Sequence, residues 1–226
     1  HPSWAKTATK VIETTDYTAL AQEEIGGYVT RLVDERAALI LADGDGAEWI
    51  FWTATPKASP ATRRIPIVLV SGDAERRAQA STNGADLSLA PEAMLTQLPM
   101  LLTDVARVPD PEMIETLDCQ CDAPMPPEGL ASIALFNAGE YYQQHDHFEA
   151  MWMAETGPVR NLYQAILQVG IAYYQITRGN HRGAFKMLLR SVQWLSLLPN
   201  VCRGVDVAQL RTDAAAVRAE LERVGE

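Results

Sequence analysis

Residues 109–128 constrain the fold most, because neither a helix core nor a strand tolerates their composition. They include five prolines and six acidic residues and no basic residue. Proline interrupts regular structure and like charges repel, so this composition predicts an extended, semi-rigid linker. The 226 residues are enough for two ordinary domains. We therefore predict a domain over residues 1–108, an acidic Pro-rich linker over 109–128, and a second domain over 129–226.

Residues 1–108 have the pattern of an α/β domain. The runs AALILA (37–42) and IPIVLV (65–70) are apolar at every position. Such runs are typical of strands buried on both faces in a parallel sheet with helices on each side. We predict further strands over 10–14 and 85–90, and helices over 17–35, 75–82 and 91–107, the last broken or kinked at Pro99. Residues 49–60 add aromatic side chains that we expect to lie as an exposed lid on the core.

Two polar side chains come directly after the apolar runs. Asp43 ends the first run and Ser71 follows the second. Chain direction places both at the carboxyl ends of neighbouring strands, where open α/β sheets bind ligands. The alternative is that Asp43-Gly-Asp-Gly is simply a turn at the end of a strand.

The segments AALILAD, IPIVLVSGD and NGADLSLAP resemble the third, fourth and fifth strands of a response-regulator receiver domain, which has a flavodoxin-like fold. The resemblance implies that Asp43 is at the phospho-acceptor position and Ser71 at the switch hydroxyl. The acidic pair of a receiver's first strand is missing, and Leu89-Ala90-Pro91 replaces the expected lysine. Phosphoryl transfer needs cations to neutralise developing charge. We therefore expect an incomplete, degenerate receiver. A phosphorylated regulator is the alternative, and it would need an acidic pair upstream of His1.

Residues 129–226 have a helical pattern throughout. Helical periodicity predicts helices over 130–155, 159–178 and 181–198 and a fourth that begins at Asp206, separated by glycine, proline and asparagine. The last of them repeats apolar residues as a heptad: Val207, Leu210, Ala214, Val217, Leu221 and Val224. The pattern predicts an all-α domain, a four-helix bundle.

A polar cluster is predicted inside this bundle. On a helical wheel His145 falls among Tyr141, Phe148 and Trp152, and Glu149 lies one turn further on. A buried histidine and glutamate need hydrogen-bond partners. Glutamines on one face of the next helix could supply them. The predicted network or pocket comprises His145, Glu149, Trp152, Gln164, Gln168 and Asn180.

Three interpretations of this cluster stay open. It could be a satisfied network that fixes helix register, a pocket for a small molecule or peptide, or a metal site. Histidine and glutamate at i,i+4 have acceptable ligand spacing, but two ligands do not make a site. No nucleophile–base pair is identifiable by spacing, so we predict no catalytic residue, no bound metal and no cofactor, and lean against an enzyme.

The segments LFNAGEYYQQHDHFEAMW and YQAILQVGIAYYQITRGNHRGA resemble the helical family called domain of unknown function 309. The matching positions are Phe136-Asn137, His145-Asp146, Glu149, Trp152, Gln164, Gln168, Gly179-Asn180 and Gly183-Ala184. Tyr174 departs from the pattern, since many members have histidine there, and this weakens a metal interpretation. The resemblance implies a helical fold and says little about activity.

Charge and cysteine usage limit the remaining function classes. The net charge is −10 and no segment is a basic patch, so we predict no nucleic-acid partner. No apolar run is long enough for a membrane span, and no signal-peptide pattern is present. Cys119, Cys121 and Cys202 are too few, and odd in number, for a disulfide framework, which favours the cytoplasm.

We therefore predict a cytoplasmic, two-domain, non-enzymatic regulatory or interaction protein that binds a protein partner or itself. The alternative is a protein that uses a helical-domain pocket at His145 and Glu149 to bind a small molecule or metal, or to act as an enzyme.

Overall fold

The computed structural model describes residues 2–224, which divide into two compact units at Val108 and Pro109. The first unit has a small parallel sheet with helices, and the second is helical. The α/β character of the first half and the helical character of the second are thus confirmed. Within the described residues, no helix combines the length and apolar character that a membrane crossing requires.

The first unit contains a three-stranded sheet with all strands parallel, in the order β1-β2-β3. Its elements are α1 (Ala5–Ile12), α2 (Tyr28–Asp34), β1 (Ile40–Asp43), α3 (Trp49–Ala58), β2 (Ile67–Val70), α4 (Ala74–Gln79), β3 (Leu87–Leu89) and α5 (Pro91–Met100). A 3-10 turn, Ser81–Asn83, precedes β3, and a π-helical turn, Leu101–Val105, follows α5.

Strand β2 is buried at every position, as its unbroken apolar run predicted. Val68 and Val70 belong to a core cluster that includes α1 and α5. Ile67 and Leu69 belong to a second cluster that includes Trp49 of α3. Helices therefore cover both faces of the sheet. Those on each face shield alternate side chains of β2 from water.

Two predictions near the start of the chain are wrong. Residues 10–14 are not a strand, because α1 continues to Ile12 and packs Trp4 and Ala8, one helical turn apart, against the sheet. The helix predicted over 17–35 is confined to α2. Gly27 adopts a left-handed conformation (φ 69°) at the start of that helix, which prevents a continuous helix across it.

The aromatic lid predicted over 49–60 is instead helix α3. Trp49 is buried in the core, and Trp52 packs edge-on against Tyr28 with ring centroids 4.8 Å apart. The segment is therefore part of the packed layer on one face of the sheet.

Over residues 109–224, the second unit has six helices and one short hairpin. Its elements are α6 (Pro111–Cys121), α7 (Pro127–Asn137), α8 (Tyr141–Ala154), α9 (Arg160–Thr177), α10 (His181–Leu195), β4 (Val201–Cys202), β5 (Val205–Asp206) and α11 (Val207–Val224). Strands β4 and β5 pair antiparallel. Each helix from α7 to α11 packs against the next one along the chain.

The segment predicted to be an extended linker is largely helix α6. Asp110 caps it by accepting a hydrogen bond from the Glu112 amide at 3.0 Å, and Pro111 occupies its first turn. Leu117 is fully buried. Pro111 and Pro127 lie in the first turns of α6 and α7, where a missing N–H costs nothing, so the number of prolines did not indicate an extended chain.

Cys121 of α6 forms a disulfide with Cys202 of β4, 81 residues further along the chain. The small, odd number of cysteines argued against a disulfide framework, yet one disulfide is present and Cys119 is the free cysteine. An argument from cysteine number could not detect a pair that only the fold brings together. The cytoplasmic location loses this support and stays a prediction.

The helix predicted over 130–155 is two helices. The chain turns between α7 and α8 at Gly139, whose φ of 84° is in the left-handed region. The bundle region thus has five helices, α7 to α11, and not four. The heptad of α11 packs against the core at five positions, while Val224 is 59% exposed.

Reducing the Cys121–Cys202 disulfide is expected to lower the free energy of unfolding of the helical unit by about 2–4 kcal/mol, because the bond restricts a long loop in the unfolded chain. Chemical denaturation followed by circular dichroism, with and without dithiothreitol, measures the change. Cys121→Ala should reproduce it, and Cys119→Ser, which alters the exposed free thiol, should not. Superimposable curves for oxidised and reduced protein would contradict the prediction.

Candidate functional site

His145 and Glu149 lie on the flank of the buried face of α8, not at its centre. Their side chains are 22% and 46% exposed. The Nε2 atom of His145 is 3.9 Å from Glu149 Oε2, and its Nδ1 atom is 3.1 Å from Asp146 Oδ1. Both ring nitrogens therefore face carboxylates of their own helix.

The predicted glutamine partners do not meet this pair. Gln164 is half-buried, and the buried Oε1 atom of Gln168 has no hydrogen-bond partner. Across residues 2–224, no hydrogen bond joins either glutamine to His145 or Glu149. The prediction of a buried, hydrogen-bonded His–Glu–Gln network is therefore wrong.

The remaining two predicted residues have structural partners. Asn180 is the N-cap of α10: its Oδ1 accepts from the Gly183 amide at 2.9 Å, and its Nδ2 donates to Gln175 Oε1 at 2.8 Å. The guanidinium of Arg160 lies over the ring of Trp152, with Arg160 Cζ 5.4 Å from the centroid of the Trp152 ring. Neither residue contacts the His145–Glu149 pair through a hydrogen bond or ion pair in the described chain.

Gln144 is the polar side chain that α8 does bury. It is fully buried, and neither its amide oxygen nor its amide nitrogen has a hydrogen-bond partner within residues 2–224. The amide packs directly on Gly170 of α9, where a Cβ would overlap Gln144 Oε1. A glycine inside an apolar helix is the sequence signal that indicates such a close approach, although it does not identify the partner.

A second polar cluster, also missed from the sequence, lies beside the disulfide. The side chain of Arg203 is 13% exposed. It donates to Tyr163 Oη at 2.5 Å and to the Gln120 carbonyl at 3.3 Å, and lies 3.9 Å from Glu155. Burial raises the pKa of Tyr163, and the positive charge of Arg203 partly opposes that rise. The cluster fastens α6 and the β4–β5 hairpin to α9.

At the carboxyl ends of β1 and β2, the side chains of Asp43 and Ser71 do not interact directly. Ser71 is buried, and its hydroxyl donates to Asp45 Oδ1 at 2.6 Å, while the Gly72 amide donates to Asp45 Oδ2 at 3.1 Å. Asp43 accepts from the Asp45 amide at 3.0 Å. The Ser71 hydroxyl and then the Gly72 amide hold the pKa of Asp45 below its usual range.

Two arginines near these strand ends donate hydrogen bonds to main-chain carbonyls. Arg76 donates to the carbonyls of Gly44 and Gly46 at 2.6 and 3.3 Å. Arg77 donates to the Ser71 carbonyl at 2.6 Å. Among residues 2–224, no three His, Cys, Asp or Glu side chains are grouped so that they could hold a metal ion.

Comparison with known families matches residues 130–187 to Domain of unknown function (DUF309). The match covers 58 of 226 residues, from α7 into α10. It confirms the resemblance of the C-terminal half, and gives no activity for it. No curated protein matches the chain.

Gly170→Ala is expected to lower the free energy of unfolding by about 1–3 kcal/mol, because its Cβ would overlap the Gln144 amide. Alanine otherwise favours a helix interior by about 1 kcal/mol, so the sign should reverse in a Gln144→Ala background. A double-mutant cycle from denaturation curves measures this coupling. Gln143→Ala, an exposed neighbour, is the matched control and should leave the cost of Gly170→Ala unchanged.

Ser71→Ala is expected to raise the pKa of Asp45 towards its usual value, because the first of its hydrogen-bond donors is lost. The pKa is lowered in the folded state, so the stabilisation exists above the ordinary carboxyl pKa and is lost as pH falls below about 4. Carboxyl NMR titration of both proteins measures the pKa. Ser88→Ala is the control, since Ser88 bonds the Arg77 carbonyl instead. An unchanged pKa in Ser71→Ala would refute this assignment.

Proposed function

We propose that this protein is a non-enzymatic regulatory or interaction protein of the cytoplasm. In this proposal the first unit is a degenerate receiver that does not accept a phosphoryl group at Asp43, and the second is a helical domain, similar to DUF309, that contacts a protein partner or a second copy.

The observation that most supports this proposal is the hydrogen bond from Ser71 to Asp45. A phosphoryl group on Asp43 would need nearby donors and cations to balance its charge. The Ser71 hydroxyl and the Gly72 amide instead donate to the Asp45 carboxylate. That carboxylate adds a negative charge close to Asp43, which opposes a second anion there. Arg76 is bound to main-chain carbonyls of the same loop.

The helical unit supports an interaction role through its surface. Leu130 of α7 is 58% exposed, and Tyr142 and Met153 of α8 are 55% and 71% exposed. In this proposal these side chains belong to the contact surface of the helical unit, which would cover them when the partner binds. His145 and Glu149 pair with each other along one helix, and among residues 2–224 they belong to no group of three side chains that could hold a metal ion.

Incubation of the full chain with acetyl phosphate and Mg²⁺ is expected to leave its mass unchanged, because the groups that would stabilise a phosphoryl group are occupied. Intact-mass spectrometry measures the outcome. Asp43→Asn is the matched control, since it removes the acceptor carboxylate and keeps the side-chain size. Addition of a phosphoryl group to the native chain that is absent from Asp43→Asn would overturn the proposal.

A further inference from the structure

We propose that the free edge of β1 binds an extended, apolar peptide strand, which would give the proposed interaction role a specific site. A cavity of ≈ 790 Å³ lies beside this edge, bordered by α1, α2 and residues 16–22. Its volume is in the range of sites that enclose ligands. All of its lining residues belong to the α/β unit.

The main chain of β1 leaves hydrogen-bonding groups unpaired at the cavity. The ladder with β2 uses the amides of Ile40 and Gly44, which donate to Pro66 and Val70 at 2.9 and 2.8 Å. Since main-chain groups alternate in direction along a strand, those of Leu39 and Leu41 point away from β2. Within residues 2–224 nothing hydrogen-bonds to them. An unpaired edge of this kind is a template for another strand.

The opposite border of the cavity is a stretch of chain held at both ends. Residues 17–22 form neither helix nor strand. Tyr17 donates through its hydroxyl to the Leu102 carbonyl at 3.1 Å, and Arg31 donates to Gln22 Oε1 at 2.8 Å. Between these two anchors the segment lines the cavity without a backbone hydrogen bond to β1. The cavity is therefore bordered by two stretches of backbone, as a space for an inserted strand would be.

Apolar side chains line the cavity on both faces of the sheet. Trp4, which precedes α1, and Ala8 of α1 belong to the core on one face. Leu32 of α2 and Trp52 of α3 pack with the core on the other. Alternate side chains of an inserted strand would point to opposite faces. Both sets would meet apolar walls, so the fitting strand is apolar at consecutive positions, as β2 is.

These features together favour a peptide over other occupants. Donors and acceptors that alternate along an edge are matched by another peptide backbone, and the apolar walls match its side chains. The inference rests on the proposed interaction role and specifies its partner as an extended apolar segment. A second copy of this chain is the other occupant that the test must separate.

The test is amide hydrogen exchange of Leu39 and Leu41, measured by NMR on the full chain. The probe is a peptide of five alternating valine and isoleucine residues flanked by lysines. The control peptide has the same side chains but is N-methylated at alternate residues, which removes strand hydrogen bonds. The probe is expected to slow exchange at Leu39 and Leu41 at least about tenfold, and the control peptide is not.

A matched pair of variants separates the cavity from general charge effects. Ala19→Arg places a cation on the half-buried segment that borders the cavity, and should abolish the protection. Ala47→Arg adds the same charge at an exposed position outside it, and should leave the protection intact.

Several results would overturn the inference. Exchange at both residues could be unchanged by the probe, or slowed equally by the N-methylated control. Protection in the free chain would mean that the edge is already paired, by residues 17–22 if it is independent of concentration, or by a second copy if dilution removes it. None of these results changes the outcome with acetyl phosphate, so this inference can fail while the proposed function stands.

Discussion

Full burial of β2 is the constraint on which the α/β unit depends. Four consecutive residues, Ile67 to Val70, have no contact with water, so apolar layers are required on both faces of the sheet. That requirement places α1 and α5 on one side and α3 on the other. It also fixes where the strand ends, so that the buried Ser71 lies at the carboxyl end of β2, next to the loop after β1.

The sequence predicted strands β1 and β2 because their signal is local, while the strand predicted over 10–14 is part of α1 and the turn after it. An apolar run of four to six residues that ends at glycine and aspartate is a property of adjacent positions. The loops at the strand ends were harder to predict. Asp43 and Ser71 were expected to act together, yet Asp45 binds Ser71. Two aspartates in one turn compete for the same donor, and only the path of the turn decides between them. The receiver fold itself remains a proposal.

In the helical unit, periodicity predicted the helices after residue 159 but not the orientation of α8. A wheel placed His145 near the centre of the buried face, since its neighbours at helical spacing are aromatic. The actual face is rotated towards Gln144, because α9 offers Gly170 as the point of closest approach. Contacts between helices are long-range, so the pattern of one helix alone cannot supply them. The same limit applies to Arg203, whose partners come from three different segments.

The Cys121–Cys202 bond makes a closed covalent ring of the chain from the end of α6 to β4, with α7 to α10 inside it. A protease that cut one turn between those helices would leave both pieces attached to each other. A force applied to the chain ends could not extend the enclosed helices while the bond remained intact. The region that matches DUF309 is thus enclosed by a single linkage whose two sulfur atoms come from outside the match.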